Sequence, residues 1–185
     1  MARAPSQAPR IVIAPADALA DEPVRIRIHG CAPRAQITLR ATAWDDFGRE
    51  WMSWAAFETD ADGSVDVGSQ APVAGSYTTA DAMGLLWSMR LDPSKRQDVS
   101  LFAMIDLEPM TITLTGIAEG NQFGSASLTR RFLSHSVRRS SVRERGLVGT
   151  LFMPIGEGVY PGVLVLGGSG GGLREHQAAL LAAHA

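Results

Sequence analysis

The feature that most constrains the fold is a period of two. In "PVRIRIHG", Val24, Ile26 and Ile28 alternate with Arg25, Arg27 and His29. A strand sends successive side chains to opposite faces, so this pattern reads as a half-buried β-strand. "AQITLRATAW" follows with Ile37, Leu39, Ala41 and Ala43 on one face. "REWMSWAAFET" is a third candidate, closed by the Asp62-Gly63 turn signal in "DADG". "VSLFAMIDL", "MTITLTGIAEG" and "SASLTRRFLS" continue the series, with turn residues at short intervals. Only "TADAMGLLWSM" suggests a short helical turn. Several short strands with regular turns predict an immunoglobulin-like antiparallel β-sandwich over about 1–135.

Beyond residue 135 the pattern changes. "SHSVRRSSVRERG" is basic and polar, and the apolar "LVGTLFMP" follows. Gly146 supplies the positive φ that a tight hairpin turn needs, so strands are expected over about 137–144 and 147–153. "GVLVLGG" is a continuous apolar run, the signature of a parallel strand buried on both faces. A glycine turn and then "LREHQAALLAAHA" complete a strand–loop–helix unit. One such unit cannot bury its strand alone. Residues 136–185 therefore read as the incomplete, truncated beginning of something longer, with self-association through the unfinished sheet an expected consequence.

Composition excludes several classes. The chain has 185 residues and a net charge of −2, which offers no global pull toward nucleic acid or anionic membrane. No apolar run approaches the roughly 20 residues of a membrane span. Cys31 is the single cysteine, so no internal disulfide or Cys-rich zinc site is expected and a reducing, cytoplasmic setting is the default. His29, His135, His176 and His184 show no H-x-x-x-H or H-E-x-x-H spacing, so no metal is expected, and no cofactor is expected either.

Candidate chemistry centres on "VLVLGGSGGGLREHQ". Gly167-Gly168-Ser169-Gly170-Gly171 fits the G-x-S-x-G nucleophile elbow. That motif needs an acid and then a histidine later in the chain. Only Glu175, His176 and His184 follow, the first two early in the same helix. Phosphate-loop patterns fail too, because Leu173 and Arg174 occupy their key positions. A purely structural tight turn remains open. The favoured reading is an oxyanion loop, in which Gly168, Ser169 and Gly170 offer backbone N–H groups at a helix N-terminus. Elsewhere, Trp44, Trp51, Trp54 and Trp87 with Met83, Met89 and Met104 read as sandwich core. The arginines from Arg130 to Arg145 read as a solvated strand face. Asp45-Asp46 reads as turn chemistry, and Cys31 as a small buried hydrophobe.

Several of these stretches, in this order, resemble the acyl-CoA thioester hydrolase / bile acid-CoA:amino acid N-acyltransferase family. They are "TLRATAWDDFGREWMSWAAFETDADGSVDV", "SYTTADAMGLLWSM", "VRRSSVRERGLVGTLFMPIGEGVYPG" and "YPGVLVLGGSGGGLREHQAALLAAHA". The resemblance implies an acyl-CoA substrate, attack on its thioester by a Ser or Cys nucleophile, and transfer of the acyl group to water or an amino acid. It makes residues 136–185 the beginning of an incomplete, truncated α/β-hydrolase domain and places the nucleophile, acid and histidine downstream of residues 160–185, so no catalytic residue is expected in this chain. A non-catalytic binding or interaction module and a carboxylesterase on the same scaffold are the alternatives.

Overall fold

The computed structural model describes residues 8–92, 101–168 and 171–185. Its elements in chain order are β1 (Arg10–Ala14), β2 (Asp17–Leu19), β3 (Arg25–His29), β4 (Gln36–Trp44), β5 (Glu50–Glu58), β6 (Val65–Asp66) and β7 (Ala74–Gly75). They continue with α1 (Gly84–Trp87), β8 (Arg90–Leu91), β9 (Met110–Ala118), β10 (Asn121–Arg131), β11 (Val137–Glu144), β12 (Leu147–Pro154) and α2 (Glu175–Ala183). The protein is mainly β. One sheet runs β1-β3-β6; a larger one runs β2-β10-β9-β4-β5-β7, with β8 also on β5. The hairpin β11-β12 forms a third.

The described chain divides into two compact units. The first comprises the described parts of 1–18, 23–103 and 110–129; the second comprises 19–22, 104–109 and 130–185.

In the first unit, alternation decides what is buried. Ile26 and Ile28 of β3, Ile37, Leu39, Ala41 and Ala43 of β4, Ala55 and Phe57 of β5, and Ile112 and Leu114 of β9 share one core cluster. The two sheets thus pack their apolar faces together, as in a β-sandwich. The registers keep these residues level: Leu39 pairs with Ala55 on one side and Gly116 on the other. The β9–β10 turn is Glu119-Gly120, with φ of 51° and 78°. Both values lie in the left-handed region, as a two-residue type I′ turn demands.

The tryptophans and methionines divide where a shared core was expected. Trp51 and Met89 are buried, whereas Trp44, Trp54 and Trp87 are 55%, 40% and 56% exposed. The strand period explains two of them: Trp44 follows inward Ala43, and Trp54 precedes inward Ala55. "VSLFAMIDL" begins outside the described residues, and its described part, from Leu101 on, forms no strand. Leu101 and Ile105 are exposed there. Ala103 instead accepts a bond from the Asp46 amide at 3.1 Å. Conversely β1 and β2 were not anticipated, although Ile11 and Ile13 alternate with Arg10 and Val12.

In the second unit the hairpin has the expected register. Glu144 pairs with Leu147 and Val137 with Pro154. Its turn, Arg145-Gly146, has φ of 52° and 84°. Helix α2 also forms, with Ala179 fully buried. The run Gly162–Gly168, expected as a buried parallel strand, is neither. It has no strand pairing in the structure, and Val163, Leu164 and Leu166 are 65%, 81% and 74% exposed. The physical reason is that a parallel strand exists only through neighbours, and none lies beside it among the described residues.

Candidate functional site

The glycine loop lies between this apolar run and α2. Of its three proposed amide donors, Gly168 is described; Ser169 and Gly170 lie outside the described residues. On the far side, the Gly171 amide donates to the Gly168 carbonyl at 3.0 Å. Gly167 packs directly on the returning chain: a Cβ there would stand 2.6 Å from the Gly172 carbonyl oxygen. Real Cβ atoms do not tolerate such a contact, so this position requires glycine. Helix α2 begins at Glu175, and its N-cap, Arg174, makes no side-chain capping bond.

The three side chains that could serve Ser169 as acid or base are engaged elsewhere. Glu175 accepts from Arg139 Nε at 2.9 Å and Nη2 at 3.0 Å, and from Thr150 Oγ1 at 2.5 Å. Partial burial alone would push its carboxyl up. The bonds from Thr150 and Arg139, with the Arg139 charge, outweigh this and hold it below the usual carboxylate range. His176 Nε2 lies 2.6 Å from the Asp106 carbonyl and so donates to it, while Phe132 meets the ring edge-on at 4.8 Å. His184 Nε2 lies 3.0 Å from Asp21 Oδ2. These commitments weigh against the elbow reading.

The arginine series divides. Arg138, Arg139, Arg143 and Arg145 are exposed, as a solvated face requires. Arg130 is not: it is 2% exposed, and its Nη2 donates to the Ala20 and Glu22 carbonyls at 2.6 and 2.8 Å. Among the described residues its Nη1 has no hydrogen-bond partner, and burial pulls the pKa of the guanidinium down. The signal was in the pattern, because Arg130 stands two residues from buried Leu128 on one strand.

Asp45 exceeds turn chemistry. It is buried and accepts from the Phe47 and Arg49 amides, Arg49 Nε at 2.7 Å and Trp51 Nε1 at 3.0 Å. Burial would raise its pKa; these bonds, led by Arg49, hold it far below the ordinary range. Cys31 is half-buried and packs on the core, and burial raises its thiol. Sequence reasoning missed the Glu175 clamp. Its trace is the shared hairpin face of Arg139 and Thr150, since Ser141, two residues from Arg139, pairs with Thr150.

Among the described residues no helix is long and apolar enough to cross a membrane. Residues 21–144 match the family model described as "Acyl-CoA thioester hydrolase/BAAT N-terminal region". Acyl-coenzyme A thioesterase 6 of Mus musculus is 38% identical over 170 residues, covering 89% of this chain and 40% of its own length. Peroxisomal succinyl-coenzyme A thioesterase of Mus musculus is 35% identical over 170 residues, covering 89% and 39%. Mitochondrial acyl-coenzyme A thioesterase 2 of Mus musculus is 35% identical over 170 residues, covering 88% and 36%. The chain thus spans about two fifths of the length of the relatives it matches. With two thirds of its residues inside the matched region, the chain belongs to the acyl-CoA thioester hydrolase/BAAT family.

Proposed function

We propose that the chain is the N-terminal part of an acyl-CoA thioesterase or acyl-CoA:amino acid N-acyltransferase. Residues 1–135 are its sandwich domain and 136–185 open its α/β-hydrolase domain. A covalent acyl-enzyme forms on a nucleophile beyond this chain, and the Gly168, Ser169 and Gly170 amides bind the oxyanion of the tetrahedral intermediate. In that intermediate the nucleophile has added to the thioester carbonyl carbon. The negative oxygen collapses, the C–S bond breaks, and CoA leaves as its thiol after protonation. Water or an amino acid then takes the acyl group. The setting is cytoplasmic, and no cofactor is needed.

The observation that carries this reading is the family match, joined by relatives named as acyl-CoA thioesterases. The loop adds physical support: Gly167 packed on Gly172, Gly171 bonded to Gly168, and the N-terminal end of α2 close by, with Glu175, His176 and His184 each bonded elsewhere. The test measures CoA thiol release. The 185-residue chain is expected to release none above background, while a chain extended to the relatives' length hydrolyses acyl-CoA. In the extended chain, Gly168→Pro removes one N–H and is expected to lower kcat by about 10²–10³. Ser169→Ala keeps its N–H and is expected to change kcat little. Release by the short chain, abolished by Ser169→Ala, overturns the reading and restores the nucleophile elbow. Hydrolysis of simple esters in preference to thioesters overturns the substrate assignment.

A further inference from the structure

Glu175 is tied down more strongly than a first-turn glutamate needs to be. Its carboxylate meets the Arg139 guanidinium through two nitrogens and Thr150 through a third bond. The carboxylate bridges both strands of one hairpin, for Arg139 lies on β11 and Thr150 on β12. The side chain is 17% exposed against 46% for Arg139, so its end of the pair is the sheltered one. Helix α2 receives no capping bond from Arg174. The Glu175 side chain ties the helix start to the hairpin, next to the bond of His176 to the Asp106 carbonyl.

That tether acts on the glycine loop. Only Leu173 and Arg174 separate Glu175 from Gly172, a leash of at most about 10 Å. Gly172 in turn packs on Gly167, and Gly171 bonds back to Gly168. A continuous chain of contacts thus runs from the hairpin through Glu175 to both ends of the loop.

We propose that Glu175 is a positioning residue: held by Arg139 and Thr150, it sets where the Gly168 and Gly171 amides stand. Its significance for catalysis rests on the oxyanion reading of that loop. Arg139 and Thr150 act through Glu175 and touch no substrate. A bidentate guanidinium–carboxylate pair fixes direction as well as distance. A lysine in place of Arg139 would hold the charge without the fork.

The experiment is amide exchange and chemical shift by NMR on the 185-residue chain. It compares the wild type with Glu175→Gln, Arg139→Lys and Thr150→Val. In Glu175→Gln, exchange at Gly171 is expected to speed about tenfold and the Gly168 and Gly171 resonances to shift, with Ala179 unmoved. Unchanged Gly168 and Gly171 signals in all three variants overturn the proposal. Where Glu175→Gln also loosens Ala179, the other two variants decide. Shifted loop signals over an intact helix support the clamp, and unmoved ones overturn it. The charge-swapped pair Arg139→Glu with Glu175→Arg is expected to restore part of the loop shifts; shifts no closer to wild type overturn a specific pairing. In the extended chain Glu175→Gln is expected to lower kcat about tenfold or more with KM little changed. Loop shifts without any change in kcat would leave the clamp standing and defeat the oxyanion reading instead.

Discussion

Asp45 is the residue on which most local structure converges. Its side chain is fully buried and that of Arg49 11% exposed, with the Arg49 Nη2 to Asp45 Oδ2 contact at 2.6 Å. Asp45→Ala would strand the guanidinium and orphan Trp51 Nε1. Breaking such a pair costs about 3–5 kcal/mol, so urea denaturation should show a large loss or no folded protein. The pH dependence has a definite sign. The Asp45 pKa is lower folded than unfolded, so the unfolded chain binds the proton more readily. Its contribution is complete above about pH 4, the unfolded value, and is lost as pH falls below that. Asp66 and Glu175, also lowered, act in the same direction. Thermal midpoints should therefore fall below about pH 4, and less steeply in Asp45→Asn; a parallel decline would remove Asp45 from the account. The doublet Asp45-Asp46 was legible as a turn because short carboxylates bond nearby amides. Its partner Ala103 was not, being 58 residues away in sequence.

Among the elements, the type I′ hairpin turn at Arg145-Gly146 was the most readable, whereas the like-built turn at Glu119-Gly120 was not singled out. Two-residue turns of this type need positive φ at both positions, and glycine announces only the second. Glu119 and Arg145 occupy the first at φ of 51° and 52°, a conformation that costs a residue of this kind about 1–2 kcal/mol. Asn tolerates it better. Glu119→Asn is expected to raise the urea midpoint by the equivalent of up to about 1 kcal/mol. An unchanged or lower midpoint would show that the turn conformation carries no such cost. Buried β-strand alternation was equally plain, which is why β4 and β5 agree with their sequence patterns. The described part of "VSLFAMIDL", from Leu101 on, has no partner strand among the described residues, and apolar content alone does not make a strand. The same holds for Gly162–Gly168, a continuous apolar run with no strand beside it among the described residues.

At the scale of the whole molecule, the apolar run in the second unit has the clearest consequence. Val163, Leu164 and Leu166 are largely exposed, and exposed apolar segments drive association. Sedimentation of the 185-residue chain should show concentration-dependent self-association, reduced in the double variant Leu164→Ser, Leu166→Ser. Equal association in both would assign it to another surface, such as exposed Trp44 and Trp54. By itself, the sequence determined what depends on near neighbours along the chain: the β class, the strand periods, the hairpin turn, the helix after the glycines and the family resemblance. Tertiary structure decided what depends on partners distant in sequence. It turned Trp44 and Trp54 outward, buried Arg130 against the Ala20 and Glu22 carbonyls, and left 162–168 without a sheet. It also brought Arg139 and Thr150 onto Glu175, 36 and 25 residues away. Periodicity tells which side of an element a residue occupies; only packing tells what meets it there.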